Sequence, residues 1–421
     1  MTNPRGQYAS RRDFIGGSLA AGALLSLPSG VRAAVGPRTQ ATVAPAGDLA
    51  AQTGVVVHLF LRGGFDALSA IFPLGDADLR AARPVITVPD AAALNLGNGW
   101  GLHPALAPLV PYWNAGELAI VVGVGATTHT RSHFDETNAV TRASFGGSTL
   151  SRTGWIARAT DELTERASLQ SVSIASSTLA SRNGTKPSLS VGRLSNTRFP
   201  SVTGLSSVTF ADFVREVGRS SGSSWAARAT ATTDAVRLVE GLRTVEPAVT
   251  YPTTDTAARL RDAAALIKGD AGVRFVDLDF AGDWDLHAGI GTVDAGTMRG
   301  LLTDLAVSLA IFRADLGAHW SRVTVVTSTE FGRRVRENAS QGADHGWASA
   351  MFVLGGAVKG GRVLGAFPGL APSQLADGDV RVTTDYRSVL AEVLTRGAGL
   401  PGASIGRVFP RFSPVSVDAM R

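Results

Sequence analysis

The chain has 421 residues, 44% hydrophobic and 18% charged, with 48 glycines and 19 prolines in no Gly-X-Y period; disorder and a collagen-like structure are excluded, and a large core is available. It contains no cysteine, which rules out disulfides, thiolate zinc sites, iron–sulfur clusters and a cysteine nucleophile. The net charge of +5 falls to +2 without the first 33 residues, where Arg5, Arg11, Arg12 and Arg32 oppose Asp13, so a nucleic-acid partner is excluded as well.

Residues 10–15 read Ser-Arg-Arg-Asp-Phe-Ile. An apolar Gly/Ala-rich stretch from Ile15 to Leu27 follows, then Pro28 and a cleavage-like Val31-Arg32-Ala33. This pattern is a twin-arginine export signal over residues 1–33, with a linker over 34–53. The apolar run is shorter than the ~20 residues that span a bilayer, so no stable membrane anchor is expected. The expected partner is the twin-arginine export machinery, and the expected destination is the bacterial periplasm or the medium. That route carries folded proteins, often with a metal already inserted, and a chain without cysteine suits an oxidising compartment.

From residue 54 the pattern alternates between strands and helices. Val55–Leu61, Leu118–Val124, Val273–Leu278, Val323–Ser328 and Met351–Leu354 are short apolar runs expected to be buried strands. Pro104–Trp113, Ala257–Ile267 and Thr297–Phe312 carry apolar residues at helical spacing. The expected fold is α/β, a mostly parallel central sheet flanked by helices, over residues 54–421. Residues 150–272, rich in Ser, Thr, Arg and Ala, read as an inserted cap, with strands near Val172 and Leu189 and helices near 208–218 and 228–243.

Ligands of open α/β sheets sit at the carboxyl ends of strands, so the polar residues there are the candidates. After the first strand, Gly63-Gly64-Phe65-Asp66 offers Asp66 as a metal ligand or a helix cap. After the second come His129, Thr130, Arg131, Ser132, His133 and Asp135, just before a helix. Arg131 suits an oxyanion, and a hydroxyl of Ser132 or Thr130 suits a nucleophile. After the third, Asp283-Trp284-Asp285-Leu286-His287 places carboxylates and an imidazole where they can share one cation. After the fourth, Glu330 stands at the strand end, and Asp344-His345 lies between glycines that bring a loop to the same point. His58, inside the first strand, reads as core. His103 reads as a cap or a cleft residue.

Leu61-Arg62-Gly63-Gly64-x-Asp66, Leu102-His103-Pro104-Ala105-Leu106, Arg131-Ser132-His133-Phe134-Asp135, Trp284-Asp285-x-His287, Glu330-Phe331-Gly332-Arg333, Asp344-His345-Gly346 and Thr384-Asp385-Tyr386-Arg387 together resemble the domain of unknown function 1501 family. The resemblance runs over about residues 54–412. That family is similar to the alkaline phosphatase and sulfatase superfamily, which implies a metal-bearing fold acting on phosphate or sulfate esters. Carried over by position, Asp66, His133, Asp285, His287, Glu330, Asp344 and His345 would hold divalent metal (zinc, calcium or manganese). Ser132, or Thr130, would attack, and Arg131 would bind the oxyanion of a small anionic ester. Two departures stand out. Glu330-Phe331 occupies the place of the superfamily's Asp-His, with His129 or His133 as the substitute imidazole. Ser132 also lacks the sulfatase nucleophile's surroundings, which disfavours sulfatase activity. The resemblance therefore implies a metal-dependent hydrolase of phosphate or related esters; the missing imidazole motivates the alternative, a non-catalytic exported binding or assembly protein on the same fold.

Overall fold

The computed structural model describes residues 54–128, 130–143, 152–164, 169–175, 180–182, 184, 189–197, 211–217 and 224–421. Residues 1–53, expected to be an export signal and a linker, and His129 lie outside the described residues.

Twelve strands are found among them: β1 (Val55–Phe60), β2 (Ile71–Pro73), β3 (Leu94–Gly97), β4 (Trp100–Leu102), β5 (Leu118–Gly125), β6 (Ser171–Ile174), β7 (Leu189–Val191), β8 (Phe275–Asp279), β9 (Val323–Ser328), β10 (Ser349–Gly355), β11 (Arg362–Leu364) and β12 (Thr384–Asp385). The main sheet has the order β11-β5-β10-β9-β1-β8-β6-β7, with β12 beside β5; β2, β4 and β3 form a small antiparallel sheet. All five expected strands are present, and the fold is α/β with a mixed, mostly parallel sheet.

The exception to parallel pairing is β10, which runs antiparallel to both β5 and β9. Its cause lies in the connection. A parallel neighbour needs a crossover long enough to return along the sheet, usually a helix. Residues 329–348 contain no helix, so the chain turns and comes straight back. The stretch expected to be a cap also contributes to the sheet itself. Parallel strands β6 and β7 extend it beyond β8.

Helices relevant to the sheet and the site are α1 (His133–Arg142), α2 (Trp155–Asp161), α3 (Ser224–Leu242), α4 (Asp255–Lys268), α5 (Thr297–Leu316) and α6 (Tyr386–Glu392). Side chains alternate across β1. Val55, Val57 and Leu59 pack with Leu260 and Ala264 of α4 and Leu305 and Leu309 of α5. Val56 and Phe60 pack with Trp155 and Ile156 of α2 and Val389 and Leu390 of α6. Both faces are thus covered, which explains why these strands read as unbroken apolar runs. The expected helix from Pro104 begins as 3₁₀, Pro104–Leu109, and becomes α only over Val110–Asn114. Pro108 and Pro111 remove backbone donors that a continuous α-helix would use.

Strands β1, β5, β8 and β9 all point the same way, so their carboxyl ends share one edge. The antiparallel β10 begins at that edge, which brings the residues before it, 343–348, there too.

Candidate metal centre

Three histidines and one aspartate meet at this edge. His133 opens α1, Asp285 and His287 follow β8, and His345 precedes β10. His133, Asp285 and His345 each offer one donor atom within 4.8 Å of the others, so this triad can hold a metal ion. His133 Nε2 and His345 Nε2 are 3.0 Å apart, and Asp285 Oδ1 is 3.3 Å and 3.2 Å from them. His287 Nε2 joins at 2.9 Å from His345 Nε2 and 3.0 Å from Asp285 Oδ1. A tetrahedral ion with bonds of about 2.0–2.1 Å holds its donors about 3.3 Å apart, so the triad has the spacing such an ion requires.

The other nitrogen of each ring fixes its tautomer. His345 Nδ1 lies 2.8 Å from the carbonyl oxygen of Arg131, which only accepts, so Nδ1 carries the hydrogen and donates it. His133 Nδ1 donates to Glu330 Oε1 at 2.7 Å, and His287 Nδ1 donates to Asp344 Oδ1 at 2.9 Å. In its neutral form each ring then turns an Nε2 lone pair towards the same small volume as the Asp285 oxygen. Lone pairs facing one another and an anion repel unless a cation or a proton lies between them. Histidine ligands whose second nitrogen is held by a carboxylate or carbonyl are the usual arrangement around metal.

The electrostatics follow from these contacts. The hydrogen bond to Glu330 raises the His133 pKa above its ordinary value, against the opposing effect of burial. Burial alone would raise the Glu330 carboxyl; hydrogen bonds from His133 and the Gly63 N–H outweigh it and hold the acid ionised. Asp285 would also rise on burial, but Arg333, followed by His345 and His133, pulls it down to about 2. Asp344 is lowered by His287 and Asn338.

Arg333 is 2% exposed and braces the cluster. It donates to Asp285 Oδ1 at 2.6 Å and to the carbonyls of Gly63, Gly64, Trp284 and Ala343. The loops pass close enough that glycine is required at two points. At Gly63, with φ +112°, a Cβ would lie 2.5 Å from the Asp285 nitrogen, and at Gly342 it would lie 2.2 Å from the His287 carbonyl carbon.

Several expected site residues take other places. Asp66 is buried in a two-pronged ion pair with Arg83, at 2.7 and 3.0 Å, and accepts from the Ser69 hydroxyl at 2.6 Å. Its charge is spent on a buried cation, so it is a structural anion outside the cluster. Glu330 and Asp344 hold histidine Nδ1–H groups instead of joining the converging donors. Ser132 caps α1, its hydroxyl oxygen facing the Asp135 N–H at 3.4 Å, and Thr130 Oγ1 accepts from the Ser132 N–H at 3.2 Å. Neither hydroxyl contacts the donors in the described structure, because both are occupied at the helix start. The Arg131 guanidinium pairs with Asp377 and Asp379, so only its carbonyl serves the cluster. His103 caps the turn after it, accepting from Ala105 N–H at 3.0 Å.

Sequence reasoning missed two features. One is Arg333 as a brace, which the sequence shows only as the last residue of the Glu330-Phe331-Gly332-Arg333 motif. The other surrounds His58, which lies in the core beside the Phe60 and Trp155 rings yet is hydrogen-bonded at both ring nitrogens. It donates from Nδ1 to Asp277 at 2.7 Å and accepts at Nε2 from the Ser328 hydroxyl at 2.6 Å, while Ser181 also donates to Asp277. The signal was present as polar residues within otherwise apolar strands, His58 in β1, Asp277 in β8 and Ser328 at the end of β9, but only strand register shows that they touch.

Among curated proteins, none matches the chain. A family model matches residues 128–408, more than half of the 421, and that span contains all four residues of the cluster. The chain therefore belongs to the family described as protein of unknown function, DUF1501.

Proposed function

We propose that this protein is an exported, metal-dependent hydrolase of phosphate or related esters, on an alkaline phosphatase-like scaffold. The observation that carries the reading is the orientation of His133, His287 and His345, each with Nδ1–H held by an oxygen and Nε2 turned to Asp285. A donor set of imidazoles and one carboxylate suits zinc or manganese and does not suit calcium, which prefers oxygen throughout. A divalent ion there would supply Lewis acidity towards an ester oxygen and activate water. With Ser132 and Thr130 engaged at the helix start, the reading assigns the attack to water instead of a serine ester intermediate. Glu330 and Asp344 align the imidazoles, and Arg333 holds Asp285 ionised.

One observation favours the second reading, an exported binding or assembly protein. If His287 completes the set, four protein donors close the coordination sphere, which is the pattern of structural zinc. If His287 stays at the rim, where its side chain is 44% exposed, the sphere stays open to substrate. Elemental analysis of protein from its own compartment, with cleavage assays on a phosphomonoester and a phosphodiester, tests both. Bound metal with turnover supports the hydrolase. Metal without turnover across the panel favours the second reading, and protein that binds no zinc or manganese removes both forms of the site.

A further inference from the structure

Beside the cluster lies an open cleft of about 330 Å³, whose wall includes His133, Asp285 and Glu330. On its other sides are Arg62, Asp283 and one face of α1. That face presents Phe134 and Asn138, four residues apart and therefore on the same side of the helix. Phe134 is 85% exposed, the most exposed large apolar side chain among the described residues. It directly follows His133, so its ring is tied to the helix turn that aims an imidazole into the cluster.

The cleft also contains an anchored cation with donor capacity to spare. Arg62 gives Nε and Nη2 to Asp279, at 3.2 and 3.0 Å, and lies over the Phe60 ring at 5.3 Å. Its side chain remains 39% exposed, so a third donor nitrogen is available without further ordering. The volume fits the same picture. A benzene ring fills a cavity of roughly 150 Å³, which leaves about as much again for a small charged head group. An aromatic ring left in water is also the surface whose covering returns most free energy, through area and through ring stacking.

We infer that the cleft binds anions that carry a flat aromatic group, with the anionic end at the cluster and Arg62 and the ring stacked on Phe134. The preferred substrates are then aryl-bearing esters instead of small alkyl ones. This inference rests on the metal-dependent hydrolase reading and names its substrate class.

The test compares phenylphosphonate with methylphosphonate, which share one non-hydrolysable head group and differ only in the organic part. Calorimetric titration of zinc-loaded protein should give phenylphosphonate at least about tenfold tighter binding. Phe134→Ala should remove that preference while leaving methylphosphonate affinity and zinc content unchanged; the side chain is exposed, so the fold does not depend on it. Phe134→Tyr should keep the preference. Arg62→Gln should weaken both ligands alike. Equal binding of the two phosphonates to the unaltered protein, or a preference that survives Phe134→Ala, overturns this inference while the metal reading stands. Failure of both phosphonates to bind zinc-loaded protein overturns the inference together with the oxyanion-binding reading beneath it.

Discussion

Replacing Glu330 with Gln separates two roles that the structure assigns differently, ligand and orienting acceptor. Glu330 Oε1 accepts from both the Gly63 N–H, at 2.8 Å, and His133 Nδ1–H, at 2.7 Å, while Oε2 accepts from Thr329 Oγ1 at 3.0 Å. A glutamine can place its one carbonyl oxygen where Oε1 stands and turn its NH₂ to the threonine hydroxyl. The bonds to Gly63 and His133 are then kept, the charge is lost, and the Thr329 hydroxyl turns from donor to acceptor. A hydrogen bond to a charged group contributes about 1.5–3 kcal/mol against about 0.5–1.5 for a neutral one. The difference, about 1–1.5 kcal/mol, predicts a zinc affinity about tenfold weaker, at the low end of what outer-shell changes cost. Affinity should be read by chelator competition well above the His133 pKa, because the substitution also lowers that pKa and would otherwise reduce proton competition. Unchanged affinity would refute the orienting role. Complete loss of metal from a folded Glu330→Gln variant would make Glu330 a ligand after all.

Arg83→Met should destabilise the protein by about 3–5 kcal/mol, since it leaves Asp66 buried and unpaired, with zinc stoichiometry unchanged in the folded fraction. Loss of zinc from folded Arg83→Met protein would return Asp66 to the metal site. Ser132→Ala should cost about 1 kcal/mol of stability through the lost cap and keep both metal and turnover; a metal-loaded, inactive variant would reinstate the serine as nucleophile. In chelated protein the folded-state pKa of His133 is raised, so its contribution to stability is fully present below the ordinary value of 6.5 and lost as pH rises through the raised pKa. Denaturant midpoints of chelated Glu330→Gln protein should show a weaker fall across that window, and an identical fall would refute the assignment. Replacing Arg11 and Arg12 together with Lys should stop export, read by cell fractionation; mature protein arriving in normal amount would refute the signal.

What the sequence disclosed was local, and what it hid was the pairing between distant segments. The strands were legible because both sheet faces are covered, so apolar runs had no reason to alternate. His133, Asp285, His287 and His345 were legible as polar residues just beyond strand ends, which the shared edge brings together. The distinction between ligand and orienting acceptor was not legible. Glu330 and Asp285 both follow a strand, yet Glu330 reaches an imidazole Nδ1 and Asp285 reaches the Nε2 atoms. Nothing in the spacing encodes which nitrogen a carboxylate will meet. Asp66 misled for a similar reason: its partner Arg83 lies seventeen positions away, across the small antiparallel sheet's first strand and a helix turn. The Asp277–His58–Ser328 contacts needed the register of three strands, fixed only by pairings more than two hundred positions apart.

The brace at Arg333 explains how two of the three histidine-bearing segments, the loop of Asp285 and His287 and the loop of His345, are held ready. Bringing Nε2 atoms together around a carboxylate is unfavourable without a cation, and Arg333 is a permanent one, on Asp285 Oδ1 and 3.4 Å from His287 Nε2. It also ties the loops together by donating to the turn after β1 at Gly63 and Gly64, to the Asp285 loop at Trp284 and Asp285, and to the His345 loop at Ala343. A planar guanidinium can address three directions at once, whereas the single ammonium of lysine cannot reach these acceptors from one position. The order of the cluster is therefore built on permanent charge and backbone carbonyls, and an ion binding there would not have to organise the loops. Arg333→Lys should accordingly weaken zinc binding more than Glu330→Gln does, because it loosens both the Asp285 loop and the His345 loop instead of one ring.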